Sequence, residues 1–283
     1  MKAAIDLGTN SCRLLIMNQD NETVYRDIQT TRIGAGQTHS SKKISPAALQ
    51  RTLDCLQEYR YQLARHQVSR YRAVATAAVR EASNREEMIR YLAAAADLEL
   101  EIISSREEAY LSYIGATTAL QLSSAPLLVD VGGGSSEFIC PEIGLISSVP
   151  VGAVRVKELG LDPGMIRASF LPLLNAIRLQ QSRPLVFVGG TATSLAAIKL
   201  QLQDYDAQRI NGQLIRRHEL ERIYHDIHRM PLHRRRHIPG LQPERADIID
   251  SGLLILLMIT SCLGSEEFYV SDHDLLHGII YSL

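Results

Sequence analysis

Apolar positions in the first thirty residues come in short runs, at 3–7, 13–17 and 24–29, broken by polar turns at 8–11 and 18–21. This pattern predicts three strands joined by tight turns. At Ser45-Pro46 the period changes. Pro suits the first turn of a helix, and Leu49, Leu53, Leu56, Tyr59 and Leu63 then recur at helical spacing as far as His66. A strand at 71–76 runs into Thr76-Ala77-Ala78-Val79-Arg80. A helix capped by Asn84 runs through Ala96, a strand follows at 99–104, and a helix starts at Ser105 and reaches about Leu120. The polar Ser123-Ser124 followed by Ala125-Pro126 marks a boundary, which gives domains of 1–124 and 125–283. The second half opens on a buried strand at 127–130 and a returning strand from Glu137. It continues with a strand near Ile146 and a helix near Pro163. A strand at 185–188 enters a glycine loop, 189–194, ahead of a helix at 195–202. An amphipathic helix at 244–263, a strand at 268–270 and a helix at 275–282 close the chain. Strands alternating with helices in both halves make this an α/β protein.

The two halves carry the same turn. Ile5-Asp6-Leu7-Gly8-Thr9-Asn10-Ser11-Cys12-Arg13 aligns at one constant offset with Val129-Asp130-Val131-Gly132-Gly133-Gly134-Ser135-Ser136-Glu137. A single Asp-x-Gly-x-x-Ser is an ordinary hairpin turn as readily as an anion cradle, because glycine marks most tight turns. Its repetition points to duplicated halves facing a cleft. Each copy offers a carboxylate for Mg²⁺, with amides and hydroxyls for phosphoryl oxygens. Gly189-Gly190-Thr191 after the 185–188 strand adds a third anion-friendly turn ahead of a helix N-terminus.

Composition narrows the field. Apolar residues make up 46% and charged residues 22% of 283 residues, which suits two packed domains. A net charge of −1 provides no global field for nucleic acid. Cys12, Cys55, Cys140 and Cys262 lack metal or redox spacing and read as reduced thiols, so a cytoplasmic setting is expected. The acidic Asp6 stands where a signal peptide needs an apolar core, and the run 253–259 is too short to span a bilayer. The stretch 216–237 is rich in Arg and His, but Glu219, Glu221 and Asp226 are interleaved. A solvated helix pair is therefore preferred there over a wall for a polyanion. His225 and His228 share a helix face without a third metal ligand.

Six motifs in order carry a family resemblance. They are Asp6-Leu7-Gly8-Thr9-Asn10-Ser11, Arg32-Ile33-Gly34-x-Gly36, Glu107-Glu108-Ala109, the run from Asp130 to Glu137, Gly189-Gly190-Thr191, and Glu244-Arg245-Ala246-Asp247. Over essentially its whole length the chain resembles the exopolyphosphatase/guanosine pentaphosphate phosphohydrolase family, in its short two-domain form, within the actin and sugar-kinase superfamily. The resemblance implies two actin-like (ribonuclease H-like) α/β domains, each with a mixed five-stranded sheet flanked by helices, and an interdomain cleft. It also implies Glu108 as the catalytic glutamate, Arg80 as a phosphate clamp, and Asp6, Asp130 and Glu137 as the acidic residues that hold Mg²⁺, or Mn²⁺ in its place. Phosphate would be bound by Gly8, Thr9, Asn10, Ser11, Gly132, Gly133, Gly134, Ser135, Gly190 and Thr191. Ser105 departs from a family glycine. The C-terminal signature, resembling Ser-Asp-x-Gly-Leu-Arg-Glu-Gly, reads Ser271-Asp272-His273-Asp274-Leu275-Leu276-His277-Gly278, with Leu276 and His277 replacing an arginine and a glutamate.

The expected activity is Mg²⁺-dependent release of orthophosphate from the end of inorganic polyphosphate, or from guanosine pentaphosphate. The partners are one of these substrates and, as the assembly to test, a second copy of the chain; neither nucleic acid nor a membrane is expected. Two readings compete. A kinase on the same fold would need an acceptor hydroxyl, and phosphate release without an acceptor separates it. A polyphosphate or nucleotide sensor would bind without turnover. Read without the family, Glu107 and Glu108 are a first-turn acidic pair that suits the helix dipole.

Overall fold

The computed structural model of the protein describes residues 1–9, 11–34, 43–178 and 183–283. Asn10 and the stretch 35–42, with Gly36, lie outside the described residues. The elements begin with β1 (Lys2–Leu7), β2 (Cys12–Met17), β3 (Thr23–Gln29), α1 (Pro46–Arg65), β4 (Arg70–Ala75), α2 (Ala77–Arg80), α3 (Arg85–Ala96), β5 (Leu100–Ile102) and α4 (Ser105–Thr118). They continue with β6 (Leu127–Val131), β7 (Ser136–Cys140), β8 (Leu145–Val149), α5 (Ala153–Leu159), α6 (Pro163–Arg178), β9 (Leu185–Val188), α7 (Gly189–Lys199), α8 (Ala207–Ile210) and β10 (Gln213–Arg216). The last are α9 (Arg217–Arg229), α10 (Leu232–Arg235), α11 (Ile249–Leu263), β11 (Glu267–Val270) and α12 (Leu275–Ser282).

The chain forms two compact units. One is Met1–Gly115 together with Asp274–Leu283, and the other is Ala116–His273. The polar signal at 123–126 thus lies inside the second unit, and α12 returns to the first, where the expected division ran straight from 124 to 125. The return is made by packing. Leu275, Leu276, Ile279 and Ile280 are buried with Ala4, Leu15, Met17, Val74 and Leu111. Each such side chain stabilises by about 1.5–3 kcal/mol when fully buried. Leu276, at the signature's arginine position, is part of this core with 1% exposure. Gly278 has no room for a side chain, since a Cβ there would lie 1.8 Å from the Leu111 carbonyl oxygen.

In the first unit the sheet order is β3-β2-β1-β4-β5, with β1 antiparallel to β2 and parallel to β4. Side chains alternate across a strand. Ala3, Ile5 and Leu7 therefore pack with the apolar stripes of α1 and α3, while Ala4 and Asp6 point to the face that α12 covers. That parity, combined with the position of Asp6 next to the strand's last residue, puts a carboxylate at the edge of a core. Asn84 stands at the start of α3 without capping it: its side chain accepts from the Ile44 N–H at 3.0 Å and donates to the Ile44 carbonyl at 3.3 Å.

The second sheet runs β8-β7-β6-β9-β11-β10 and repeats the pairing senses of the first, strand for strand. It has six strands rather than the expected five. The extra strand, β10, pairs antiparallel with β11 through only four residues, Gln213 to Arg216, too few for a period to show. Three other local expectations change. The glycines 189–190 do not form a loop, because α7 begins at Gly189 itself. The predicted helix over 244–263 is interrupted, with a 3₁₀ turn at Pro243–Arg245 and α11 starting at Ile249. Helix α5 was not anticipated at all. Among the described residues no helix is long and apolar enough to cross a membrane.

Candidate active site

The repeated turn is the same object in both units. In the first, the Gly8 N–H donates to the Ser11 carbonyl at 3.0 Å above the Leu7–Cys12 pair; in the second, the Gly132 N–H donates to the Ser135 carbonyl at 3.0 Å above the Val131–Ser136 pair. The amides of Gly8 and Gly132 are thereby spent on closing the turn. Phosphate-directed donors must come from the other residues of each turn.

The turns differ in what surrounds their acids. Asp6 faces Arg13 directly across β1 and β2. Arg13 Nε and Nη2 both donate to Asp6 Oδ2, at 2.9 and 2.6 Å, and Arg13 Nη1 reaches Asp274 Oδ2 at 2.5 Å. Asp274 in turn caps α12 by accepting the Leu276 N–H at 3.0 Å, and its own N–H donates to His277 Nδ1 at 3.3 Å. Asp6 is 4% exposed, and its Oδ1 has no hydrogen-bond partner among the described residues. Burial pushes the Asp6 carboxyl up against the pull of Arg13, with the charges of Asp274 and Glu108 adding to the rise. Burial acts on Asp274 in the same sense. There Arg13, and then His277, outweigh it and hold that carboxyl well below the usual range.

Arg80 ends α2, and its Nη1 donates to Glu108 Oε2 at 2.8 Å and to the Ile103 carbonyl at 3.1 Å. Glu108 lies in the first turn of α4 and is partly exposed, so the pair is anchored yet reachable. Glu107, its neighbour, is tied to Arg72, which also holds Glu101 at 2.5 Å. The two glutamates are thus separated by structure: Glu107 belongs to a surface ion cluster, and Glu108 to the residues around Asp6.

In the second unit the cross-strand partner of Asp130 is Glu137, another carboxylate at the position where the first unit has Arg13. Opposed like charges destabilise a strand pair unless a cation neutralises them. Glu137 Oε1 accepts from Ser135 Oγ at 2.6 Å and from Ser148 Oγ at 2.9 Å. Two adjacent carboxylates and hydroxyls are a hard oxygen set. They suit Mg²⁺, which keeps several waters and takes few protein ligands. Among the described residues no three His, Cys, Asp or Glu side chains converge on one point. Asp130 and Glu137 therefore fit a largely hydrated ion, whereas Asp6 already has Arg13 as its cation.

Two features around the second turn were invisible as motifs. The first is α5, whose N-terminal amides anchor the turn: Ala153 N–H donates to the Gly132 carbonyl at 3.0 Å, and Val154 and Arg155 N–H donate to the Gly133 carbonyl at 2.9 and 3.0 Å. Arg155 Nε adds a bond to the Gly134 carbonyl at 2.8 Å. With the carbonyls drawn onto α5, the amides of Gly133 and Gly134 face away from it, at exposed positions. The second is Arg245, whose guanidinium occupies the space a Gly190 side chain would need, 1.7 Å from its ideal Cβ. Gly189 adopts φ +84°, and a Cβ there would lie 2.5 Å from Asp130 Oδ1. These glycines bring the uncapped N-terminus of α7, a carboxylate and an arginine together. Thr191 turns its side chain to Gly252 in the core, leaving its backbone for the site.

The glycines yield a contrast that can be measured. Gly152→Ala would put a Cβ 2.5 Å from the Gly133 carbonyl carbon and oxygen, which are backbone and cannot step aside. A cost of about 1–3 kcal/mol and a displaced turn are expected. Gly190→Ala meets the end of a flexible arginine and should leave the melting temperature nearer the parent's while weakening anion binding. Thermal melts with and without pyrophosphate would show the opposite ranking if the contacts are misjudged.

Duplicated 3-2-1-4-5 sheets with an Asp-bearing turn at each first hairpin define an actin-like ATPase fold equipped for phosphoryl chemistry. Residues 15–283 match the Ppx/GppA phosphatase family, and the chain belongs to it. It is accordingly a hydrolase of phosphoanhydride bonds. The chain is 32% identical to exopolyphosphatase 2 of Mycobacterium tuberculosis, over 99% of this chain and 98% of that one. It is 28% identical to a bifunctional 3-dehydroquinate synthase/phosphatase of Fusobacterium nucleatum, over 99% of this chain and 46% of that one. Among solved structures, the type II variant of the Aquifex aeolicus Ppx/GppA phosphatase superposes with a TM-score of 0.88 at 25% identity. That match covers 99% of this chain and 98% of the other.

Proposed function

We propose that the protein is an exopolyphosphatase that removes terminal orthophosphate from inorganic polyphosphate with the help of Mg²⁺. The observation that carries the reading is the Arg80–Glu108 pair at 2.8 Å, a carboxylate fixed at the site yet still open to water. In this reading the amides of Thr9, Ser11, Gly133, Gly134, Gly190 and Thr191 hold phosphoryl oxygens, with Ser135 beside those of the second turn. Arg80 in the first unit and Arg245 in the second each supply positive charge to phosphoryl oxygens. Glu108 orients a water in line with the scissile bridge and accepts its proton. The water oxygen forms a bond to the terminal phosphorus, the bridging P–O bond breaks, and its electron pair leaves with the shortened chain. Asp130 and Glu137 would hold Mg²⁺, which when bound neutralises the phosphoryl charge; Mn²⁺ would use the same oxygens.

The departures in the C-terminal signature fall on structural positions, because Leu276 packs in the core beneath α12 and His277 in the α12 cap. The test is orthophosphate release measured in parallel on long polyphosphate, tripolyphosphate and guanosine pentaphosphate, with Mg²⁺ and with a chelator. Release from polyphosphate that stops on chelation is expected. Preference for guanosine pentaphosphate would reassign the substrate, and binding without any release would make the protein a sensor.

A further inference from the structure

From Ile227 to Pro243 the chain has no Asp or Glu, but it carries Arg229, Arg234, Arg235 and Arg236 with His228, His233 and His237. Two of the acids that interleave earlier in the segment have partners of their own, while Asp226 stays exposed one turn from Arg222 and Arg229. Glu219 binds Lys199 at 3.0 Å and the Arg216 N–H at 2.8 Å, and Glu221 lies beside Arg217 at 3.7 Å. Asp250 on α11 takes Arg235 at 2.9 Å and faces His228 at 3.5 Å. Arg222, Arg229, Arg234 and Arg236 are left exposed, and among the described residues none of them makes an ion pair. A solvated helix face normally intersperses the two signs of charge. From Ile227 through α10 to Gln242 the charges are of one sign, and a polyanion would relieve their self-repulsion.

The surface continues from the glycine turns of its own unit. Gly240 lies against Ala197, since a Cβ there would sit 2.3 Å from the Ala197 carbonyl, and Arg245 lies on Gly190. The chain between them runs back along α7 toward its N-terminus, about 10 Å at 1.5 Å per residue. Lys157 binds Asp247 at 2.5 Å, and the Arg236 charge also reaches that carboxylate. Cations thus run from Arg155 on Gly134 and Arg245 on Gly190 to Arg236, and the chain before Arg236 carries the exposed Arg234 and Arg229.

We infer that the α9–α10 surface is an exosite for the tail of a linear inorganic polyphosphate whose terminal phosphoryl lies at the glycine turns. This rests on the polyphosphate reading above. Nucleic acid fits the surface less well, because single strands need aromatic platforms for their bases. Tyr224, the aromatic residue on α9, is already stacked on His228 at 5.3 Å. A tail reaches the exosite only when the chain is several phosphoryl units long, so the surface selects for length.

The experiment compares the parent with the triple variant Arg229→Ser, Arg234→Ser and Arg236→Ser on tripolyphosphate and on long-chain polyphosphate. KM for the long chain should rise on the order of tenfold. Its log–log salt dependence should flatten by roughly two, from about 0.7 per lost contact with a flexible strand. The tripolyphosphate constants should not change, and a triple Lys variant should stay near the parent. An equal effect on both substrates, or no effect on either, overturns the exosite. So does single-stranded RNA that competes as well as polyphosphate of matched charge. If the parent releases phosphate from neither substrate, the catalytic reading has failed. Calorimetric binding of long-chain polyphosphate to the parent and the triple variant then decides the exosite by itself.

Discussion

Glu108→Gln is expected to lower kcat by at least about 10²-fold while leaving polyphosphate binding and the melting temperature near those of the parent, since a positioned general base contributes roughly 10²–10⁴-fold. The amide keeps the volume of the side chain and can still accept from Arg80, so the local structure has little reason to move. What is lost is the site that takes the proton from water. A merely helix-terminal role predicts the reverse: a charge in the first turn of a helix is worth about 0.3–1 kcal/mol of stability and nothing in rate. Single-turnover release of orthophosphate, alongside a thermal melt and a binding isotherm, separates the two. A variant at full rate would remove Glu108 from the mechanism. Glu107→Gln is a built-in control, because its partner is Arg72 and it should keep its rate.

Arg13→Met should destabilise the fold by about 3–5 kcal/mol at neutral pH, the usual consequence of removing one partner from a buried charge cluster. Against a typical total of about 5–15 kcal/mol that is a large fraction. The guanidinium serves two carboxylates at once, and the variant would leave Asp6 with neither oxygen bonded inside a core. The pH dependence identifies the cause. In the parent, Asp274 is held low, so its contribution is present above about pH 4, its unfolded value, and is lost as pH falls below it. Asp6 is raised even with Arg13 present, so its effect has the opposite sense and erodes stability as pH rises above that value. Without Arg13 both carboxyls move up, and a raised acid stabilises the fold only while protonated. The variant's deficit should therefore be greatest near pH 7 and shrink as pH falls toward 4. Urea unfolding across that range that showed a constant deficit would mean the cluster is not the source.

Much of the architecture was legible in the sequence because its causes are local. Short apolar runs at 3–7, 13–17 and 127–130 and the glycine turns between or behind them specify hairpins through contacts a few residues long. The constant offset between Asp6 and Asp130 predicted a duplication that the register confirms pair by pair. Ser45-Pro46 marked the start of α1, where Ser45 Oγ accepts the Ala48 N–H. The family motifs carried Glu108 and Arg80 to one neighbourhood, although they lie on different helices. Where local chemistry had two uses, the sequence could misplace a role. Asn84 serves Ile44 rather than its own helix, and the amides of Gly8 and Gly132 close their turns instead of facing outward.

By itself, then, the sequence determined the α/β class, the two hairpin turns and the acids they carry, since periodicity and turn chemistry are written within a few residues. Only the tertiary structure decided which of the two aspartates stands opposite an arginine and which opposite a second acid. Arg13 and Asp274 lie 261 positions apart, and nothing in the pattern around either reports the other. The same holds for α5 on the Gly132–Gly134 turn, for Arg245 over Gly190, and for β10 on the edge of the second sheet. Each exists because packing brings distant segments together. A cation stands across from one aspartate and a second carboxylate across from the other, so one turn is a closed ion cluster and the other presents a facing pair of acids.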